Sequence, residues 1–303
     1  MNKNIYDRLV EILPSEQVKE KEPMKNHTTF RVGGPADAFV TPKTKEELRS
    51  AIACCKEAEV SYYIIGNGSN LLVGDKGYRG VVIQIFKEMN KVTCEGDVIR
   101  AQAGALLSSV AAKALEASLT GFEFAAGIPG TLGGACVMNA GAYGGEMKDV
   151  LKEVTVLTKE GEFLTIPKDE LELGYRTSVI AKKGYTVVEA VIELKKGDPA
   201  EIKAYMDELK EKRITKQPLE YPSAGSTFKR PEGYFAGKLI QDANLRGFQV
   251  GGAQVSEKHC GFVINKDHAT AADIVELMQQ VSDRVESEFG VRLEPEVKRL
   301  GEF

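Results

Sequence analysis

The sequence predicts an α+β fold. Three observations carry that expectation. Short runs of β-branched and aromatic residues recur along the chain, as strands require. Helical-period segments lie between them, several opened by capping residues. Two strand runs, Val154–Thr158 and Glu162–Ile166, flank Lys159-Glu160-Gly161, a hairpin signal, so neighbouring strands pair antiparallel with helices beside them.

In chain order, residues 4–13 place Ile5, Leu9 and Ile12 on one helical face, and Pro14 stops the helix. The stretch from His27 to Pro42 sets apolar residues around Gly33-Gly34-Pro35 and reads as two short strands. Thr44 and Glu47 form a capping box that opens a helix burying Leu48, Ile52 and Cys55. Val60–Ile65 is a strand, followed by the loop Gly66–Asn70 and the short strand Leu71–Val73. Three further strands occupy 81–103, and a helix runs from about Leu106 to Ser118. Gly127–Gly145 is dense in glycine. Tyr185–Leu194 is a strong strand. Lys195–Pro199 is a turn-rich break. Beyond it come a helix with Ile202, Met206 and Leu209 on one face, a helix over Phe235–Asn244, and a strand at Gly261–Ile264. A long helix capped at Thr270 and Asp273 follows, then a final strand from about Val291 to Leu300. The breaks divide the chain into 1–80, 81–198 and 199–303, within the two-domain scale that 303 residues suggest.

Composition excludes several classes. Lys plus Arg is 40 against 44 for Asp plus Glu, a net charge of −4, which is not the basic excess of a nucleic-acid binder. A local basic pocket for one anionic ligand remains compatible with it. No apolar run reaches the roughly 18 residues of a membrane span, and the charged N-terminus has no signal-peptide core, so neither membrane nor export is expected. Five cysteines without a Cys-x-x-Cys pair read as apolar filler in a reducing cytoplasm. The three histidines have no paired ligand spacing, so no metal is expected.

Two glycine-rich loops are candidate cradles. Gly66-Asn67-Gly68-Ser69-Asn70 follows a strand directly, and the second loop carries Gly127, Gly130, Gly133, Asn139 and Gly141. Glycine lets backbone N–H groups approach a phosphate, and Asn67, Ser69 and Asn139 add donors. Neither loop is a P-loop or a Rossmann fingerprint. Alone, the first reads as a tight turn, whereas the glycine density of the second favours a ligand cradle over a crowded crossing. Three polar motifs follow. Tyr175-Arg176 in a turn can present a guanidinium to a carboxylate or enolate. Ser226 sits among small residues without the spacing of a nucleophile elbow, and Lys229 and Arg230 follow it. Glu294 and Glu296 flank Pro295 and, at alternate strand positions, share a face. His259 can hydrogen-bond a polar ligand. Singly, none fixes a reaction: a surface arginine, two solvent-facing glutamates, an ordinary Ser/Gly turn and a surface or half-buried histidine are the plainer readings.

Together, the order of Gly66–Val73, Gly127–Glu146, Gly174–Ser178, Ser223–Pro231 and Leu293–Val297 resembles the UDP-N-acetylenolpyruvoylglucosamine reductase (MurB) family, over about Phe30 to Val297. The short span between Arg176 and Tyr185 is similar to the family's second type, which lacks an inserted loop carrying a substrate-covering tyrosine. The resemblance implies an FAD-binding module of the vanillyl-alcohol-oxidase-like (PCMH) type over 1–80 and 81–198, and a separate α+β substrate domain over 199–303 whose last stretch, 291–303, returns to the active site. It implies FAD held non-covalently by the two loops, since no histidine lies in either. By motif position Arg176, Ser226 and Glu296 match the catalytic three, and Lys216 the phosphate-binding lysine. Tyr175, Lys229, Arg230 and His259 complete the implied substrate contacts. The implied reaction is NADPH-driven reduction of a UDP-sugar enolpyruvyl ether to a lactyl ether, by way of FAD, in peptidoglycan synthesis. Two readings stand beside it: a flavin oxidase of related fold, and a nucleotide-sugar binding protein without flavin.

Overall fold

In the computed structural model, which describes residues 4–303, the α+β expectation takes the form of two cores built from interleaved stretches of chain. One unit holds the chain up to Lys19, then Ala38–Asn67 and Val81–Arg213; the other holds Glu20–Asp37, Gly68–Gly80 and Ile214–Phe303. The stretch up to residue 80 is thereby shared between both units. Strand and helix periods reveal elements but not which core each element joins.

The first unit begins with the helix Ile5–Ile12, whose N-cap Asn4 accepts the Asp7 N–H at 2.9 Å. Thr44 caps the helix Lys45–Glu57, accepting the Glu47 N–H at 3.1 Å. That helix buries Leu48, Ala51, Ile52 and Cys55, and burial pushes the Cys55 thiol up to about 12, too high for thiolate chemistry at neutral pH. The strand Tyr62–Ile65 pairs in parallel with Tyr78–Gln84, from Tyr62 opposite Val81 to Ile65 opposite Gln84. A five-stranded antiparallel sheet follows, in the order Phe163–Pro167, Leu151–Leu157, Thr186–Glu193, Val98–Gln102, Val92–Glu95. The hairpin read at Lys159–Gly161 joins its first two strands. The helices Leu107–Glu116 and Leu132–Val137 pack beside this sheet with Leu107, Val110, Ala111, Leu132 and Cys136 buried.

The second unit is organised by the helix Ala271–Phe289, which buries Ile274, Leu277, Met278, Val281 and Val285. Its capping box, Thr270 with Asp273, is present as read, and Gly290 at φ +67° ends it. Asp75 completes the cap from a distant stretch, its two carboxylate oxygens accepting the Ala271 and Ala272 N–H groups at 2.8 and 3.0 Å. A three-stranded sheet, Gln249–Val250, Ala253–Val255 and Val263–Asn265, packs on this helix together with the helix Ala236–Asp242. Leu71–Val73 pairs in parallel with Lys298–Leu300.

Four readings differ from the structure. The final strand is only Lys298–Leu300; residues 291–297 are irregular, with one bridge between Phe228 and Pro295. Proline lacks the N–H that a continuing ladder needs. The first of two strands read over His27–Pro42 is absent, because Arg31 at φ +56° and Gly33 at φ +129° turn the backbone away from β geometry; the second is Pro35–Val40. The strands Gln249–Val250 and Ala253–Val255 lie between the helix over Phe235–Asn244 and the strand at Gly261–Ile264, where the sequence predicts no element. Val18–Pro23 was unread because this strand at the end of the sheet order carries charges where a central strand would carry apolar residues.

Asp75→Ala strips two N–H partners from the long helix at an exposed cap. The expected cost is about 1 kcal/mol, read as a lower denaturation midpoint, with Asp75→Asn losing less. An unchanged midpoint in both would remove the cap from the account.

Candidate functional site

The glycine loops are held by hydrogen bonds rather than left mobile. In the first unit, the Gly66 carbonyl accepts from Gln84 Nε2 at 3.1 Å, and Asn67 Nδ2 donates to the Pro129 carbonyl at 2.8 Å. A Cβ on Gly66 would lie 2.1 Å from Thr131 Oγ1, so only glycine fits beside the second loop. That loop is tied in turn to 103–107: Leu107 N–H donates to the Gly130 carbonyl at 3.1 Å, and Gly133 N–H to the Ala103 carbonyl at 2.8 Å.

The glycine density of 127–145 therefore serves two purposes. Gly133 lets the chain pass Ala103, where a Cβ would be 2.9 Å from the Ala103 Cβ. Gly141 packs on the Gly145 carbonyl and Glu146, in a small hairpin turned at Tyr143 and Gly144 with φ +53° and +90°. Gly127 lies against the Arg213 guanidinium. Crowded packing thus explains several glycines that were read as a ligand cradle.

Arg176 is presented by a tight turn. Gly174 and Thr177 exchange backbone hydrogen bonds at 3.1 and 3.3 Å, leaving Tyr175 and Arg176 at the tip. Arg176 has φ +54°, at the turn position where glycine or asparagine is usual, a strain of roughly 1–2 kcal/mol. Its guanidinium sits 5.2 Å from the centre of the exposed Tyr175 ring. Asn139, buried and itself left-handed at φ +45°, donates to the Gly174 carbonyl at 3.2 Å and to Glu146 Oε2 at 2.8 Å, while its Oδ1 accepts the Lys148 N–H at 2.8 Å. The Asn139 donors are thus used inside the protein. The Glu146 carboxylate is held below the usual range by the Lys148 ammonium, then by the Asn139 amide and the guanidinium field of Arg176.

In the second unit, two distant stretches lie side by side. The Glu296 N–H donates to the Thr227 carbonyl at 2.9 Å, and the Lys229 N–H to the Glu294 carbonyl at 2.8 Å. Ser226, exposed and next to Gly225 at φ +76°, is therefore chain neighbour to the residue that anchors Glu296. Asn70 joins them: its Nδ2 donates to the Glu296 carbonyl at 3.3 Å, and its own carbonyl accepts the Lys298 N–H at 3.1 Å. Gly68 is buried against the His27 carbonyl, and Ser69 is half-buried beside it.

Each of the implied substrate contacts after residue 199 has its own local surroundings. Lys229 forms an ion pair with Glu294, so the two glutamates flanking Pro295 have different surroundings. Arg230 stacks on the exposed Phe235 ring at 4.0 Å and donates from Nε to the Tyr234 carbonyl at 3.2 Å. Lys216 is the exposed last residue of the helix Pro199–Lys216. His259 Nδ1 accepts the Gly261 N–H at 3.1 Å, which leaves the ring proton on Nε2, and burial pushes its pKa down and keeps it neutral. Its loop reaches the serine stretch through the Thr227 N–H, which donates to the Gly261 carbonyl at 2.9 Å.

Two residues escaped the sequence reading. The hydroxyls of Thr29 and Thr131 are buried with no hydrogen-bond partner in the protein. Each belongs to a glycine loop: Thr131 touches the Gly66 position, and the Thr29 N–H donates to the Gly68 carbonyl at 3.3 Å. An orphaned buried hydroxyl costs about 1–3 kcal/mol, which an acceptor on a bound group would offset. Within the first unit, the Thr131 hydroxyl beside Gly66 therefore fits an oxygen-rich group such as a phosphate of FAD. Nothing in the residues around Thr131 or Thr29 marks either hydroxyl as buried.

Comparison with known proteins gives concordant results. Residues 217–300 match the family model described as UDP-N-acetylenolpyruvoylglucosamine reductase, C-terminal domain, and residues 36–167 match the FAD binding domain. The chain is 56% identical to UDP-N-acetylenolpyruvoylglucosamine reductase of Agathobacter rectalis, covering 100% of each. The crystal structure of that reductase (MurB) from Thermus caldophilus superposes with a TM-score of 0.80 at 38% identity, over 93% of this chain and 98% of that one. Alkyldihydroxyacetonephosphate synthase shares the fold at a TM-score of 0.50 and 17% identity, over 65% of this chain and 42% of its own.

The lowered pKa of Glu146 has a pH consequence. A carboxylate depressed in the folded state adds stability above its unfolded value, about 4.3, and loses it as pH falls through the folded value. Glu146→Gln is expected to melt below wild type at pH 7, with the gap closing towards pH 3. A gap independent of pH would show that the charge is not what Glu146 contributes.

Proposed function

This chain belongs to the UDP-N-acetylenolpyruvoylglucosamine reductase family, and from that membership we propose that it reduces UDP-N-acetylglucosamine enolpyruvate to UDP-N-acetylmuramate. FAD is its non-covalent cofactor and NADPH its co-substrate. The setting is the cytoplasm, and the product serves peptidoglycan construction. The observation that carries the reading is the backbone pairing of Glu296 with Thr227, which joins the serine stretch and the terminal carboxylate to Asn70 of the first glycine loop. Likeness over the full length to a named reductase favours this reading over an oxidase or a binding-only protein.

FAD, when bound, supplies the two-electron redox chemistry that amino-acid side chains lack. The residues to hold it are Gly66, Asn67, Gly68, Ser69 and Asn70 of the first loop, Gly127, Gly130, Gly133 and Gly141 of the second, and the hydroxyls of Thr29 and Thr131. Asn139 supports the second loop from within. The protein's own part in the reaction is charge and proton placement. Negative charge develops on the carbon next to the substrate carboxylate and spreads into that carboxylate. The Arg176 guanidinium offsets it, a contribution of roughly 2.7–4 kcal/mol for a well-placed donor. Glu296, held at its backbone from two sides, orients the enolate. The Ser226 hydroxyl delivers the proton to that carbon. Lys216 meets the diphosphate, joined by Lys229 and Arg230 once substrate competes with their present partners, and Tyr175 and His259 border the sugar nucleotide. In this reading the residues before 199 hold the cofactor and lend Tyr175 and Arg176 to the substrate, and those after it supply the remaining substrate contacts.

Ser226→Ala is expected to leave reduction of the flavin by NADPH nearly intact and to slow its reoxidation by the enolpyruvyl substrate by several orders of magnitude, read by anaerobic stopped flow. Equal loss in both half-reactions would count against the proton-donor role. Lys216→Ala is expected to raise the KM for the UDP-sugar far more than it lowers kcat, as loss of uniform binding does. An unchanged KM would take Lys216 out of the site.

A further inference from the structure

We infer that Asn139 and Glu146 form a positioning unit for Arg176: one buried amide ties the turn that carries the guanidinium to the Glu146 carboxylate. The inference rests on the role proposed above for Arg176 and deepens it. Arg176 sits at the tip of a turn in a left-handed conformation that arginine does not favour, so something outside the turn must hold it. The turn's own two backbone hydrogen bonds close it but do not fix where it points. Fixing it falls to Asn139. That residue is 1% exposed, and its two amide hydrogens go in different directions, one to the Gly174 carbonyl and one to Glu146 Oε2.

The amide cannot reorient without cost. Rotating it would present oxygen to the Gly174 carbonyl and to the carboxylate, and would remove the acceptor used by the Lys148 N–H. Glu146 is fixed at its other end as well, since its own N–H donates to Asp149 Oδ2 at 2.8 Å and its carboxylate pairs with Lys148 Nζ at 2.9 Å. Behind the turn, Ser178, the N-cap of the helix Val179–Lys183, donates to the Val137 carbonyl at 2.7 Å, which ties the chain leaving the turn to the last residue of the helix Leu132–Val137. The loop that the sequence reading assigned to cofactor contact thus also sets the direction of the guanidinium. Asparagine suits position 139 for two separate reasons: it tolerates φ +45°, and it has two donors and an acceptor on a short side chain.

The test uses the FAD-loaded protein and separates these reasons. Asn139→Gly keeps the left-handed backbone and deletes the amide; Glu146→Gln keeps an acceptor for the amide and removes the charge. Single-turnover reoxidation by the enolpyruvyl UDP-sugar is measured for each, for Arg176→Ala, and for the double variants, alongside hydrogen–deuterium exchange of the 174–177 amides. Asn139→Gly is expected to slow reoxidation about 10- to 100-fold, the scale of an ångström-level misplacement. It should also speed exchange at the turn, and its rate effect should vanish in the Arg176→Ala background. Glu146→Gln is expected to slow reoxidation with a smaller change in exchange. An additive effect of Asn139→Gly on top of Arg176→Ala, or faster reoxidation in Glu146→Gln, would overturn the inference, the latter because it would show the carboxylate merely damping the guanidinium charge. If Asn139→Gly does not fold, Glu146→Gln and its double variant decide by the same criterion. Full activity in Arg176→Ala would instead overturn the role of Arg176 itself, and this inference with it.

Discussion

The hydrogen bond from the Glu296 N–H to the Thr227 carbonyl is the constraint on which the chemistry proposed for the second unit depends. Ser226 and Glu296 are far apart in sequence, and neither belongs to a long regular element. A single bridge between Phe228 and Pro295, with flanking bonds at Thr227 and Lys229, brings them into one neighbourhood. Asn70 then attaches the first glycine loop to the same carboxylate stretch, and the strand pair Leu71–Val73 with Lys298–Leu300 continues from it. Side chains placed this way inherit the rigidity of the core below them: Phe228, Leu293 and Val297 are buried on either side.

Much of the fold was legible because its elements announce themselves locally. Thr44 and Thr270 cap the helices that the sequence has them open, and Leu48, Ile52, Cys55, Ile274 and Val281 are buried as their periodicity implies. What periodicity cannot show is partnership. The interleaving of the two units, the paired strands around Gly251-Gly252 and the Asp75 cap on a helix nearly two hundred residues away are non-local choices. The site divides the same way. Motif order pointed to Arg176, Ser226 and Glu296, but the structure shows what supports them: Asn139 behind the arginine turn, Asn70 behind the glutamate. Thr29 and Thr131 were invisible because a buried hydroxyl without a partner is a property of packing, not of sequence.

On the proposed reading, an acidic protein that binds a diphosphate keeps cations locally available for it. Lys229 pairs with the exposed Glu294, and Arg230 stacks on the exposed Phe235 ring and donates to the Tyr234 carbonyl. Surface pairs of this kind stabilise little, so exchanging them for phosphate costs little. Burial of the His259 ring has the opposite effect, keeping it neutral and its Nε2 proton available as a donor.

The most direct measurement of the central claim is an anaerobic titration of the purified protein followed by its visible absorbance. The account predicts a yellow protein that NADPH bleaches and that one equivalent of the enolpyruvyl UDP-sugar recolours, with the lactyl ether formed in the same amount. A protein that stays bleached with the sugar nucleotide and recovers its colour only when oxygen is admitted would contradict it.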